Sequence, residues 1–274
     1  MDFVTIKVTS PEFLSDFLIS ELFQLGFDSF QELSDGFEGS IDANQFSEQS
    51  VKELLSTHEN VSYLIKKEEK INWNEEWEKN YDPIIVEDKC IVRASFHAPR
   101  PDFSYEIIVT PKMSFGTGHH ATTYQVLAYQ MNLDHEGKRV LDVGTGTGIL
   151  AIMAEKRGAK EIVATDIDEW CIENSAENFD LNSTKNLQLI KGEIQEVPGT
   201  GFDIVIANIN KNILLNQIGE YSKRLKTGGE LILSGFYKED IPDLVNEASS
   251  HFLVKKTDSV KDNWAMLVLS KQSV

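Results

Sequence analysis

One short segment, Val140–Leu150, constrains the fold more than any other part of the sequence. An apolar, strand-like run is followed by Gly144, Gly146 and Gly148, and then by an apolar helical stretch. Because glycine has no Cβ, glycines at alternate positions allow a sharp turn and the close approach of a ligand to the backbone. The segment therefore predicts a strand, a ligand-binding turn and a helix whose first N–H groups are exposed.

From about residue 85 onward, strand-like and helical segments alternate along the chain. This alternation is typical of an α/β domain with a mostly parallel sheet, and we expect one over residues 85–274. Such sheets bind ligands outside the carboxyl ends of their strands. The predicted strands are Val140–Val143, Glu161–Thr165, Leu187–Ile190, Asp203–Ala207 and Glu230–Ser234.

Residues 1–68 predict a separate and smaller α+β domain. Ser10 is expected to cap the first helix with Pro11 at the first helical position, and Ser47 to cap the second. The resulting order, β-α-β-β-α-β, is the ferredoxin-like arrangement. The segments are Phe3–Val8, a helix from Pro11 that stops at Gly26, strands near Phe27–Leu33 and Phe37–Ile41, a helix at Ser47–Ser56 and a strand at Val61–Glu68.

A polar connector, residues 69–84, joins the two predicted domains. Trp73 and Trp77 are four positions apart, which places both on one face of a helix. The sequence of the connector therefore predicts a linker helix that docks onto the larger domain.

The charge is unevenly distributed. The whole chain carries 26 basic and 44 acidic residues, for a net charge of −18, and residues 1–60 hold twelve acids against Lys7 and Lys52. Such acidity argues against nucleic-acid binding through phosphate contacts and favours a basic partner or solubility.

Several further classes of protein are disfavoured by the composition. No apolar run reaches the length of about 18 residues that a membrane helix needs, and the N-terminus does not resemble a signal peptide. Two cysteines, Cys90 and Cys171, cannot form a disulfide framework or a cysteine zinc site, so we expect a cytoplasmic protein. His119 and His120 are adjacent, and adjacent side chains rarely chelate one ion, so no metal is expected.

The glycine turn departs from the dinucleotide-binding pattern G-x-G-x-x-G. Counted from Gly144, the third glycine would be Ile149; counted from Gly146 it would be Ala151, which the pattern admits while leaving Asp142 unexplained. The pattern acid-x-Gly-x-Gly-x-Gly instead resembles the S-adenosylmethionine loop of class I methyltransferases. That resemblance implies a turn that lies against the methionine and ribose groups, with Asp142 near the ligand's ammonium group.

Two further acids fit a nucleoside ligand. Asp166 ends the second strand 22 residues after Gly144, where an acid accepts hydrogen bonds from ribose hydroxyls, while Asp168 is a candidate helix N-cap. Glu193 follows the third strand and is expected either at the adenine edge or on the loop surface.

The fourth strand ends at Asn208. Many class I enzymes that methylate nitrogen carry Asn- or Asp-Pro-Pro-aromatic here, whereas this chain has Ile209 and Asn210 in place of the prolines. The change disfavours a nucleic-acid base or a glutamine amide as the substrate. An aliphatic amine remains possible, and Asn208 would accept a hydrogen bond from it. The alternative is an asparagine that caps a loop.

A second glycine loop, Gly116–Thr123, precedes the core. It is suited to close over a ligand, with Thr123 able to donate a hydrogen bond and His120 a candidate base; the alternative is an ordinary glycine-rich turn. This loop resembles that of the bacterial ribosomal protein L-eleven methyltransferase family, with His119 for Thr and Ala121 for Pro. Further matches are Trp73, Trp77, Tyr81, Pro83, Ala207–Ile209, Leu225–Gly229 and Leu233–Gly235.

The resemblance implies an N-terminal domain that recognises a protein substrate, a linker and a catalytic methyltransferase domain. It places ligand contacts at Thr123, Gly144, Asp166 and Asn208, and it implies methyl transfer from S-adenosylmethionine to amine nitrogens of the basic stalk-base protein of the large ribosomal subunit. The alternative is an enzyme of the same class that acts on a nitrogen of a different protein or of a nucleic acid.

Overall fold

The computed structural model describes residues 3–68, 81–112 and 120–273. The chain divides into two compact units, residues 1–81 and 82–274. The predicted tryptophan pair of the connector, Trp73 and Trp77, lies outside the described residues, as does the part of the second glycine loop from Gly116 to His119.

The first unit contains one antiparallel sheet in the order β2-β3-β1-β4 and two helices. The predicted ferredoxin-like arrangement is confirmed. The elements are β1 (Phe3–Thr9), α1 (Glu12–Gln24), β2 (Ser29–Leu33), β3 (Gly36–Asp42), α2 (Glu48–Leu55) and β4 (Ser62–Glu68).

The core of the first unit follows from the alternation in β1. Val4, Ile6 and Val8 point to one side of the strand and are buried together with Leu18 and Leu22 of α1. Each buried side chain of this size contributes about 1.5–3 kcal/mol through the hydrophobic effect. The helix is therefore held to the sheet by its apolar stripe.

Of the two helix caps predicted in this unit, one is confirmed and the other is wrong. The Ser47 hydroxyl accepts a hydrogen bond from the Ser50 N–H at 3.3 Å and caps α2, as predicted. The prediction for Ser10 is wrong, because Pro11 occupies the cap position of α1 and no side chain caps the helix. The Ser10 hydroxyl instead bonds that of Ser15 at 2.9 Å.

The second unit alternates strands and helices, and every strand predicted after residue 85 is present. A three-stranded sheet, β5-β6-β7, precedes them and was not predicted. The elements are β5 (Ile84–Val86), β6 (Cys90–Ala94), β7 (Tyr105–Val109), α3 (Ala121–Asn132), β8 (Arg139–Val143), α4 (Ile149–Lys156), β9 (Glu161–Asp166), α5 (Glu169–Leu181), β10 (Leu187–Lys191), β11 (Phe202–Asn208), α6 (Lys211–Arg224), β12 (Leu225–Tyr237), α7 (Ile241–Ser249), β13 (Leu253–Lys261) and β14 (Trp264–Lys271).

Its main sheet has seven strands in the order β10-β9-β8-β11-β12-β14-β13, and the first five are parallel. β14 is antiparallel to both β12 and β13. Helices cover both faces, α3 and α4 on one and α6 and α7 on the other, so the inner strands are apolar on both sides. In the described part of the chain, no helix is both long and apolar enough to cross a membrane.

Candidate functional site

The central strand β8 marks the point at which the order of the strands reverses. β9 and β10 lie on one side of it, and β11 and β12 lie on the other. The helices that follow β8 and β11 pack on opposite faces of the sheet, which opens a crevice outside the carboxyl ends of the strands. The residues that follow β8, β9 and β11 are therefore the ones that the fold presents to a ligand.

The glycine turn after β8 has the backbone conformation that the sequence predicted. Its three glycines have φ angles of 70°, 56° and 80°, a region that side chains with a Cβ rarely adopt. The N–H groups of Gly144 and Thr145 donate to the Thr165 carbonyl at 2.8 and 3.0 Å. A Cβ on Gly148 would lie 2.5 Å from the Phe179 ring. The turn is thus held to β9 and to α5.

Asp166 lies at the carboxyl end of β9, beside the glycine turn. One oxygen of its carboxylate accepts the Gly146 N–H at 2.9 Å, and the other accepts the Asp168 N–H at 3.0 Å. These bonds fix the carboxylate in the crevice with lone pairs left over for a ligand hydroxyl. Asp168 accepts the Trp170 N–H at 2.9 Å and caps α5, as predicted.

Asp142 lies behind the turn and is 1% exposed. Its Oδ2 accepts a hydrogen bond from the Thr145 hydroxyl at 2.6 Å. Burial raises the pKa of the Asp142 carboxyl to about 7, the Thr145 hydrogen bond opposes the rise, and the negative charge of Asp166 adds to it. Asp142 is thus a carboxyl that changes charge close to neutral pH.

Asn208, the last residue of β11, is 7% exposed, and Thr123 in the first turn of α3 is fully buried. The Asn208 Nδ2 donates to the Thr123 hydroxyl at 3.3 Å. The Asn208 Oδ1 has no hydrogen-bond partner among the residues that the structure describes. A buried amide oxygen without a partner costs about 1–3 kcal/mol, so this atom is a ready acceptor for a ligand.

These groups surround a cleft of about 600 Å³ in the second unit. Of the predicted site residues, Gly144, Gly146, Asp166, Glu193 and Asn208 line it. Thr123 and Asp142 are not in the lining and lie behind it. The lining also includes residues that the sequence analysis did not select, among them Ile194, Ile209, Ile213, Gly235 and Trp264.

Ile209, the residue that follows β11, is closely packed. A Cβ on Gly144 would lie 2.4 Å from the Ile209 side chain, and a Cβ on Gly235 would lie 2.2 Å from the Ile209 carbonyl oxygen. The residue is therefore packed between two glycines, one after β8 and one in β12. The only feature of the local sequence that indicated the contact between Gly235 and Ile209 was Gly235 itself, which has a φ of 96°.

An aromatic wall forms one side of the cleft. The rings of His120 and Trp264 meet edge to face at 4.5 Å, and those of Trp264 and Tyr237 lie 4.3 Å apart. His120 also caps α3, since its Nδ1 lies 2.8 Å from the Thr122 hydroxyl and 3.4 Å from the Thr122 N–H. The sequence indicated His120 as a candidate base and predicted neither the cap nor the contact with Trp264, and the latter depends on the tertiary fold.

Within residues 3–68, 81–112 and 120–273, no group of three or more His, Cys, Asp or Glu side chains could hold a metal ion. His119, one of the two adjacent histidines, lies outside them.

Comparison with known proteins shows which protein family this chain resembles. The model of the family "Ribosomal protein L11 methyltransferase (PrmA)" matches residues 23–272. The ribosomal protein L11 methyltransferase of Bacteroides fragilis NCTC 9343 is 41% identical over 260 residues, covering 93% of each chain. That of Porphyromonas gingivalis W83 is 42% identical over 264 residues, covering 94% of this chain and 91% of its own.

Solved structures agree. The ribosomal protein L11 methylase of Lactobacillus delbrueckii subsp. bulgaricus superposes with a TM-score of 0.65 at 28% identity, over 70% of this chain and all of that one. A methyltransferase from Pyrococcus furiosus shares the fold, with a TM-score of 0.53 at 21% identity over 61% of this chain and 90% of its own.

The fold and the cleft define a class I S-adenosylmethionine-dependent methyltransferase. The family match spans most of the chain, and relatives above 40% identity cover nearly all of it. The chain therefore belongs to the ribosomal protein L11 methyltransferase family, and the resemblance predicted from the sequence motifs is confirmed.

Proposed function

We propose that this chain transfers methyl groups from S-adenosylmethionine to amine nitrogens of ribosomal protein L11, on lysine side chains, the N-terminal amine or both. The observation that carries the proposal is the buried Oδ1 of Asn208, which has no partner among the described residues and belongs to a residue of the cleft lining. An amine N–H is a donor that such an acceptor fits.

The other side of the cleft fits the cofactor. We assign Asp166 to the ribose hydroxyls, because its carboxylate is already fixed by two backbone N–H groups. Gly144 and Gly146 would lie against the methionine and ribose groups, and Glu193 beside the adenine. Asp142, which lies behind the glycine turn, would place negative charge near the ammonium group of the cofactor. When bound, the cofactor supplies an electrophilic methyl group on a sulfonium sulfur.

Asn208 is the residue that we assign to the amine. A lysine amine has a pKa of about 10.4 in water, so it must lose a proton before it can attack. Desolvation in the cleft lowers that pKa, and a fixed acceptor at Asn208 aims the lone pair at the methyl group. Positioning and desolvation then supply the catalysis, and the proposal assigns no general base.

Substitution of Asn208 by alanine tests this assignment. We expect turnover to fall by about 100-fold, since a positioning contact at the reacting atom is lost, while the melting temperature stays close to that of the wild type. Asn132→Ala is the control, because that amide is exposed at the end of α3 and bonds only the Ala128 carbonyl within the described structure. Unchanged turnover in Asn208→Ala would remove the residue from the mechanism.

The acidic first domain, residues 1–68, is the part that we assign to substrate recognition. Ribosomal proteins are usually basic, and a domain with twelve acids in its first 60 residues would attract one and speed the encounter. The same field repels ribosomal RNA. We therefore expect no direct nucleic-acid binding and expect L11 to be modified in the cytoplasm before it assembles with RNA.

The first experiment is transfer of a labelled methyl group from S-adenosylmethionine to purified, unmodified L11, with the sites located by peptide mass spectrometry. Label on lysine or N-terminal amines supports the proposal. Cofactor binding without transfer would favour a nitrogen of another protein or of a nucleic acid. Faster labelling of intact large subunits than of free L11 would overturn the proposed order of modification and assembly.

A further inference from the structure

Three asparagines recur at every fourth position along α5, the helix that packs behind the glycine turn. Asn174 and Asn178 lie within the helix and are fully buried, and Asn182 is its half-buried C-cap. A spacing of four residues places the three side chains on one face, and we call them the asparagine row. Because buried amides need hydrogen-bond partners, the partners of the row show what this face of α5 does.

The asparagine row binds the edge of the three-stranded sheet. β7 is the last strand of that sheet and pairs with β6. The Ile108 N–H donates to the Asn182 Oδ1 at 3.0 Å, and the Asn182 Nδ2 donates to the Ile108 carbonyl at 2.7 Å. The Thr110 N–H donates to the Asn178 Oδ1 at 2.7 Å, and the Thr110 carbonyl accepts the Asn174 Nδ2 at 3.2 Å. The row thus binds this edge as a further strand would.

Asn178 has a second partner, which lies in the glycine turn. Its Nδ2 donates to the Thr147 carbonyl at 2.8 Å. The partners settle the orientation of this amide, since a backbone N–H can only donate and a backbone carbonyl can only accept. Oδ1 therefore faces the Thr110 N–H, and Nδ2 faces the Thr147 carbonyl. A single buried amide thus joins β7 to the glycine turn.

The bond from Asn178 falls on a peptide group that could otherwise rotate. The Thr147 carbonyl and the Gly148 N–H belong to the same peptide group, and that N–H donates to the Thr145 carbonyl at 2.8 Å. Gly148 has a φ of 80°, and glycine adopts positive and negative φ angles about equally well. Gly148 itself therefore does little to resist rotation of this peptide group. The Asn178 amide holds its carbonyl end against α5.

We propose that Asn178 is a positioning residue for the cofactor, which holds the glycine turn in its binding conformation from behind. Asn178, Thr147 and Gly148 are not in the lining of the cleft, so their effect on a ligand passes through Gly144 and Gly146, which are. The inference rests on the proposed contact of those two glycines with the cofactor. It goes beyond that contact, because it adds a residue of α5 that does not touch the ligand.

The test compares Asn178→Leu with Asn182→Leu. Leucine is close to asparagine in size and makes no side-chain hydrogen bond, so both variants lose bonds between α5 and β7. Asn178→Leu also releases the Thr147 carbonyl, whereas the Asn182 side chain bonds only the backbone of Ile108 and Asn178 within the described structure. Asn182→Leu is therefore the matched control for a merely structural loss.

For Asn178→Leu we expect the S-adenosylmethionine Kd measured by calorimetry to rise by about tenfold or more, because a buried carbonyl of the turn loses its donor. In the methyl-transfer assay the KM for the cofactor should rise while kcat stays within about threefold of the wild type, since no group at the reacting nitrogen changes. Asn182→Leu should lower the melting temperature and keep the Kd within about twofold of the wild type. An unchanged Kd in Asn178→Leu, or equal rises in both variants, would overturn the inference.

Hydrogen exchange followed by NMR tests the hold on the turn without a ligand. The Gly148 N–H should exchange at least about tenfold faster in Asn178→Leu than in the wild type, and within about twofold of the wild type in Asn182→Leu. Equal exchange of this N–H in the two variants would refute the inference. If Asn178→Leu does not fold, Asn178→Ala takes its place in both measurements.

The same experiments separate this inference from the proposed function. Failure of the wild type to bind S-adenosylmethionine would refute the proposed cofactor site itself. Equally tight binding by the wild type and by Asn178→Leu would refute only the role of Asn178.

Discussion

The two units of this chain bury different kinds of side chain. Within the described residues of the first unit, Thr5 is the only buried polar side chain, and the core consists of aliphatic and aromatic groups. Seventeen polar or charged side chains are buried among the described residues of the second unit, and those of Asp142, Thr145, Thr165 and Asn208 lie at the carboxyl ends of β8, β9 and β11.

This difference fits the proposed division between chemistry in the second unit and substrate recognition in the first. Buried polar groups are costly unless they are paired, so a cluster of them beside a cleft indicates a site that a ligand completes. The first unit instead exposes apolar side chains on α1, where Phe13 is 87% and Phe17 51% exposed beside acidic residues. Exposed aromatic groups of this kind fit the surface of another protein.

The largest effect is expected from a substitution that disrupts the close packing beneath the cleft. Gly235→Ala would place a Cβ 2.2 Å from the Ile209 carbonyl oxygen at a φ of 96°. We expect a loss of about 3–5 kcal/mol in the free energy of unfolding, together with loss of cofactor binding, because a backbone atom must move. Thermal melting and calorimetry measure the two effects.

Gly228→Ala is the matched control for that substitution. Gly228 lies in the same strand with a φ of 80°, but nothing stands within 4 Å of its added Cβ. We expect only the strain of a left-handed alanine, about 1–2 kcal/mol, with cofactor binding retained. Equal losses in the two variants would show that conformation rather than the contact with Ile209 decides the effect.

An intermediate effect is expected from the exposed face of the first unit. Replacing Phe13 and Phe17 with serine removes apolar surface without changing charge, so we expect the KM for L11 to rise about tenfold, while kcat and the cofactor Kd stay unchanged. Val254→Ser is the control, because Val254 is 54% exposed on β13 in the second unit. An unchanged KM would place recognition of L11 on another surface and would contradict the proposed difference between the two units.

The smallest expected effect concerns the charge of Asp142. With a pKa of about 7, this carboxyl gains its negative charge as the pH rises toward neutrality, and the gain favours a cationic ligand nearby. We therefore expect S-adenosylmethionine to bind about three- to tenfold more tightly at pH 7.5 than at pH 5.5, and Asp142→Asn to abolish most of that dependence. Calorimetry at the two pH values measures it.

Asp203→Asn controls for a general effect of lost charge, since Asp203 lies at the opposite end of the same sheet, where it accepts the Arg139 N–H at 2.9 Å and pairs with Lys226. This variant should keep the pH dependence of the wild type. If Asp142→Asn keeps it too, another group controls the charge of the site.

The sequence by itself determined the local features of this protein. The glycine turn after Val143, the acid at position 166 and the caps at Ser47 and Asp168 all depend on stereochemistry within a few residues. The alternation of strands and helices fixed the fold class for the same reason, since periods of two and of 3.6 residues are local. Ser10 shows the limit, because Pro11 occupies the expected cap position and the Ser10 hydroxyl bonds that of Ser15.

Only the tertiary structure decided which distant residues meet. The hydrogen bond between Thr123 and Asn208 joins positions 85 residues apart, and Ile209 packs between a glycine that follows β8 and a glycine of β12. These contacts follow from the order in which the strands pair, which an apolar pattern does not encode because every inner strand of a parallel sheet is apolar on both sides. The sequence therefore identified the loops that carry the site, while the strand order decided that the side chains of Asn208 and Thr123 would meet.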